Sequence, residues 1–84
     1  MSYQVILPKS AQKALDRLPD ETANRILDAL SELKEQPRPV GCKKLRGETA
    51  WRIRVGDYRI IYEIHDKVLQ IIVITIGHRR EVYR

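Results

Sequence analysis

The chain has 84 residues, enough for one domain with one modest core, and its 43% hydrophobic and 32% charged content is that of a folded unit rather than a disordered one. The single Cys42 excludes an internal disulfide framework and a CxxC redox pair, so a semi-buried structural thiol is expected there. The net charge of +5 is uneven: residues 1–37 hold five Lys/Arg against six Asp/Glu, and residues 38–84 hold eleven against five. A basic half of this kind attracts polyanions.

The N-terminus, Met1-Ser2-Tyr3-Gln4, has neither the charged nor the apolar region of a signal peptide. Tyr3, Val5 and Leu7 alternate with Gln4 and Ile6, which predicts a short strand. Pro8 favours a helix start, because its missing N–H is no loss in the first turn. Ala11, Ala14, Leu15 and Leu18 then follow as one helical stripe, with Lys9, Lys13 and Arg17 on its polar side. Pro19-Asp20 ends that helix and begins a second, with Asp20 expected as N-cap. Ala23, Ile26, Leu27, Leu30 and Leu33 keep the helical period until Pro37 stops it. So short a turn between two helices predicts a helical hairpin.

Pro37-Arg38-Pro39 and Gly41 mark a loop, and Lys43-Lys44-Leu45-Arg46-Gly47 has room for a short edge strand. From Trp51 the pattern turns to β. Trp51 to Val55 alternates strictly, and Gly56-Asp57 has the chemistry of a two-residue hairpin loop. Tyr58 to His65 forms the next strand, Asp66-Lys67 turns again, and Val68 to Ile76 is the last strand, ended by Gly77. That last stretch is the longest apolar one and falls far short of the roughly 20 residues of a membrane helix, so a soluble, cytoplasmic chain is expected. The predicted architecture is a single α+β domain over residues 1–84, β-α-α-β-β-β with an optional further edge strand. An antiparallel meander and an N-terminal strand carry the helical hairpin on one face.

The hairpin register sorts the side chains. A two-residue loop pairs Val55 with Tyr58, Arg54 with Arg59, Ile53 with Ile60 and Arg52 with Ile61. With a side-chain period of two, Trp51, Ile53, Val55, Tyr58, Ile60 and Tyr62 share one apolar face. Arg52, Arg54 and Arg59 share the other, where like charges across a sheet repel unless an anion lies between them. A solvated face with fanned-apart arginines, part-neutralised by Glu63, fits the same pattern. The tail His78-Arg79-Arg80-Glu81-Val82-Tyr83-Arg84 leaves a strand beside Tyr58–His65, so its arginines can approach the same face; a frayed basic end is the plainer reading. No HExxH, paired Cys/His spacing, carboxylate cluster or Gly-rich phosphate loop occurs, so neither a metal nor a nucleotide cofactor is expected. His65 falls in a predicted turn and reads as a surface residue.

Trp51-Arg52-Ile53-Arg54-Val55-Gly56-Asp57-Tyr58-Arg59-Ile60-Ile61-Tyr62-Glu63, followed by Ile76-Gly77-His78-Arg79-Arg80-Glu81-Val82-Tyr83, resembles the RelE/ParE toxin superfamily, and within it the RelE branch. Leu45-Arg46-Gly47 also fits, and the resemblance covers essentially the whole chain. It implies a compact microbial-RNase fold, ribosome-dependent cleavage of mRNA, and inhibition by a small cognate antitoxin. Matched by motif, it places the cleavage residues at Arg52, Arg54, Arg59, Arg79 and Tyr83. The best-known members have lysines where Arg52 and Arg54 stand here. Arginine does not readily give up its proton, so neither serves as general base. The segment from Arg79 to Tyr83 is also shorter than in those members. His78 thereby becomes a candidate for proton transfer, since an imidazole pKa of about 6.5 suits it; a structural histidine is the alternative.

The implied chemistry is attack of the RNA 2′-hydroxyl on the adjacent phosphorus. Lys9, Lys13, Arg17, Lys43, Lys44, Arg46 and Arg80 are candidate contacts to the RNA backbone. Three other readings stay open: a ParE-type toxin that targets DNA gyrase, a non-catalytic basic RNA-binding module, and an inactive toxin retained as an antitoxin-bound co-regulator. The arginine–tyrosine tail favours the RelE branch over the ParE branch.

Overall fold

The computed structural model describes residues 2–45 and 49–78. Its elements run β1 (Gln4–Ile6), α1 (Lys9–Asp16), α2 (Asp20–Leu33), β2 (Lys43–Lys44), β3 (Ala50–Val55), β4 (Tyr58–His65) and β5 (Gln70–His78). The strands form one sheet in the order β1-β5-β4-β3-β2. β2 through β5 pair antiparallel, as the meander predicts, whereas β1 lies parallel to β5, so the sheet is mixed.

Both helices start at prolines, Pro8 and Pro19, which stand at the N-cap positions without a side-chain cap. Asp20 is therefore not the N-cap. It opens α2 together with Glu21, and both carboxylates face the positive end of the helix dipole. α1 packs over β5, and α2 against β1 and β3. Ala11 and Leu15 of α1 and Ile26, Leu30 and Leu33 of α2 meet Ile53, Ile60, Tyr62, Ile71, Val73 and Ile76 of the sheet in one buried cluster. Burial of these side chains is the main stabilising term for a chain of this size.

The last hairpin departs from its predicted limits. Asp66 to Leu69 close a wider turn, with the Leu69 N–H donating to the Asp66 carbonyl at 3.3 Å and Leu69 at φ 53°. β5 consequently starts at Gln70 rather than Val68. Gly77 does not end the strand; it continues the ladder opposite Arg59. A bulge at Ile61/Tyr62 leaves Ile74 outside the pairing, and its side chain is exposed.

The loop after α2 is tied down from several sides. The Tyr62 hydroxyl donates to the Pro37 carbonyl at 2.7 Å, and burial pushes the phenol pKa well up, which keeps it a donor. Arg38 lies 5.2 Å from the Trp51 ring centroid and bonds Asp66 at 2.9 Å, while Tyr3 donates to the same carboxylate at 2.6 Å. Cys42 is free, half-buried and packed against the core. Among the described residues no helix is long and apolar enough to cross a membrane.

Candidate nucleic-acid interface

The arginine face is assembled by the β3–β4 hairpin. Gly56 has φ +59° and no positive φ is found at Asp57, the combination of a type II′ turn with glycine first. That turn sets the observed register of Val55 with Tyr58, Arg54 with Arg59, Ile53 with Ile60 and Arg52 with Ile61, pair for pair as predicted. Directly opposed residues project to the same side of a pleated sheet. Arg52, Arg54 and Arg59 therefore stand together on the face away from the helices, while Ile53, Ile60 and Tyr62 form the core on the other.

Their environments differ. Arg54 is exposed, but Arg52 and Arg59 are only 5% and 6% accessible. Alternation told which face each residue occupies, not how deeply it lies. A guanidinium cannot shed its charge on burial, so these two are cations in a poorly screened environment, where attraction for an anion is stronger than at an open surface. Glu63 also sits on this face, opposite Ala50, but its carboxylate is engaged by His65 at 2.9 Å.

The other candidates separate into three groups. Lys43 pairs with Arg52 and so joins the arginine face, whereas Lys44 pairs with Trp51 and points to the helix side; both are exposed. Lys9, Lys13 and Arg17 are exposed on α1 and at its C-cap, in the helical layer. The sheet stands between them and the arginines. His78 pairs with Tyr58, its ring edge-on to the tyrosine at 5.6 Å between centroids. That register puts His78 on the side opposite Arg59, and the structure does not bring it to the arginine face. Arg46, Arg79, Arg80 and Tyr83 lie outside the described residues. Among the described residues no three side chains of His, Cys, Asp and Glu gather as metal ligands.

Sequence reading passed over one basic residue near this face. Arg25, exposed on α2, lies against the hairpin loop at Gly56. A lone arginine on the polar side of a helix carries no local signal, and only the packing of α2 on β3 reveals its position.

Comparison with known proteins follows the same lines. The family described as ParE toxin of type II toxin–antitoxin system, parDE, matches residues 5–83. Toxin RelG of Mycobacterium tuberculosis is 32% identical over 87 residues, covering 100% of this chain and 99% of the relative. The archaeal RelE of the RelE–RelB complex from Pyrococcus horikoshii superposes with a TM-score of 0.85 at 33% identity, over 94% of this chain and 97% of that one. A substituted E. coli toxin RelE in the free state gives 0.82 at 28% identity, over 99% and 92%. A chain so matched along its length, with the arginine pattern on one face of the same fold, belongs to the RelE/ParE superfamily and is a RelE-like toxin of a type II toxin–antitoxin system.

Proposed function

We propose that the protein is a ribosome-dependent, metal-independent mRNA endoribonuclease whose active face is the outer surface of β3 and β4. The observation that carries this reading is the Arg54–Arg59 pairing with Arg52 alongside, three obligate cations on one rigid face. In the proposed reaction the 2′-hydroxyl of one nucleotide gives up its proton as its oxygen bonds the adjacent phosphorus. The bond from phosphorus to the 5′-oxygen breaks, and that oxygen takes a proton. The products are a 2′,3′-cyclic phosphate and a free 5′-hydroxyl.

Arg59 is assigned to the equatorial oxygens of the transition state, where a planar guanidinium can donate two parallel hydrogen bonds. Arg79 joins it by family resemblance, and Tyr83 is assigned to base stacking or proton transfer on the same ground. Arg52 and Arg54 hold the flanking phosphates, with Lys43 beside them. No arginine is a general base and His78 stands on the far side of the sheet, so positioning and charge stabilisation must supply most of the acceleration. A substrate bent into line by the ribosome suits such a site better than free RNA does. Lys9, Lys13 and Arg17 then have a separate use, contact with ribosomal RNA on the helical side.

The partner assigned is a cognate antitoxin. The relatives from P. horikoshii and E. coli are seen in complexes with RelB. A segment with acidic residues would neutralise this face and compete with RNA for it. A second reading, a toxin acting on DNA gyrase, is favoured by the ParE description of the matching family. Incubation with programmed ribosomes, with naked mRNA and with gyrase separates the two. Cuts mapped only on ribosome-bound mRNA, with 5′-hydroxyl ends, support the nuclease. Intact mRNA together with gyrase trapped on DNA supports the second reading.

A further inference from the structure

Gly56 is closely overlaid by a side chain from another element. A Cβ built at this glycine would lie 3.6 Å from Nη1 of Arg25 and 3.9 Å from both its Cζ and Nη2. The guanidinium therefore meets that position obliquely, at ordinary van der Waals distance. The Arg25 side chain is exposed. Among the described residues Arg25 makes no ion pair and no side-chain hydrogen bond.

Arg54 connects this group to the arginine face. On one side of the loop it lines a groove of about 370 Å³ with Arg25, and on the other a small cleft of about 50 Å³ with Arg59. Arg59, Arg54 and Arg25 thus line adjoining clefts around the hairpin end, one run of basic residues. Asp28 and Glu32 line the same groove beside Arg25, and Asp57 lies on the loop between the clefts. The acidic residues of α2 repel a polyanion, so the run ends at Arg25.

We infer that Arg25 is a phosphate-binding residue, holding one phosphodiester of a single-stranded RNA where it leaves the arginine face and crosses the edge of β3 onto α2. This rests on the nuclease reading for its biological setting, but it is tested by binding alone. A planar guanidinium can offer two donors to one phosphate.

The experiment is equilibrium binding of a short single-stranded RNA to the full chain over a range of salt, for wild type, Arg25→Ala and Arg25→Lys. Melting curves accompany each protein to exclude unfolding. Neutralising one phosphate contributes about 0.7 to the slope of log K against log salt. The expected result is a slope shallower by about that amount in Arg25→Ala and restored in Arg25→Lys. A wild-type slope in a folded Arg25→Ala overturns the inference, as does a wild-type chain that binds no RNA. The inference also falls if Arg25→Ala weakens only the antitoxin complex, for the groove then belongs to an acidic peptide. Absence of cleavage on ribosomes alongside the altered slope would instead sink the nuclease reading and leave this subsite standing.

Discussion

Tyr3, Arg38 and Asp66 form an exposed polar clasp that links the N-terminus, the loop after α2 and the β4–β5 turn. Arg38, and next to it the Tyr3 hydroxyl, hold the Asp66 carboxyl below the usual aspartate range. A folded-state pKa below the unfolded value gives stability that is complete above the unfolded pKa of about 3.9. That stability is lost as the pH falls through the lowered folded-state value. Asp66→Asn should therefore unfold at lower denaturant than wild type near neutrality, and the two midpoints should converge in acid. The gap should be small and shrink with salt, because both partners are exposed and screened. Urea midpoints measured across the acid range check this; a gap that persists unchanged in acid would show that the clasp does not act through this charge.

At the level of elements, the β3–β4 hairpin was the most legible part of the chain. Strict alternation from Trp51 to Val55 and a two-residue loop leave a single register, and the pairs from Val55–Tyr58 to Arg52–Ile61 follow from it. Gly56→Ala puts a Cβ into a left-handed conformation at φ +59° and against the Arg25 guanidinium. It should cost about 1–2 kcal/mol of stability, and Gly56→Asn, whose side chain tolerates that region, should cost less. Urea unfolding of the two variants checks the order. The ends of β5 were less legible. Leu69 adopts a positive φ that a leucine seldom takes, so the turn before β5 is wider than its residue types suggest. The parallel pairing of β1 with β5 joins segments more than sixty residues apart, and no local pattern encodes it. The same limit explains the site. Period two assigned Arg52, Arg54 and Arg59 to one face, but the burial of two of them and the approach of Arg25 are products of tertiary packing.

Over the whole molecule the sheet acts as a partition. One side is occupied by helices and holds the core; the other side of β3 and β4 collects cations that the core does not use. A body measuring 33 × 26 × 25 Å has little surface to spare, and this division leaves nearly all of one sheet face to stability and the other to the binding role proposed above. Small domains gain further stability from any ligand that binds only the folded state, a benefit the proposed antitoxin would supply. The most direct test is single-turnover cleavage of mRNA on programmed ribosomes by wild type, Arg59→Lys and Arg59→Ala, with folding verified for each. Loss of a donor to developing charge costs about 10²–10³ in rate. Arg59→Ala should show that loss, and Arg59→Lys should recover part of it because the charge returns without the paired donors. Cleavage by folded Arg59→Ala at the wild-type rate would contradict the assignment of this arginine face as the seat of the reaction.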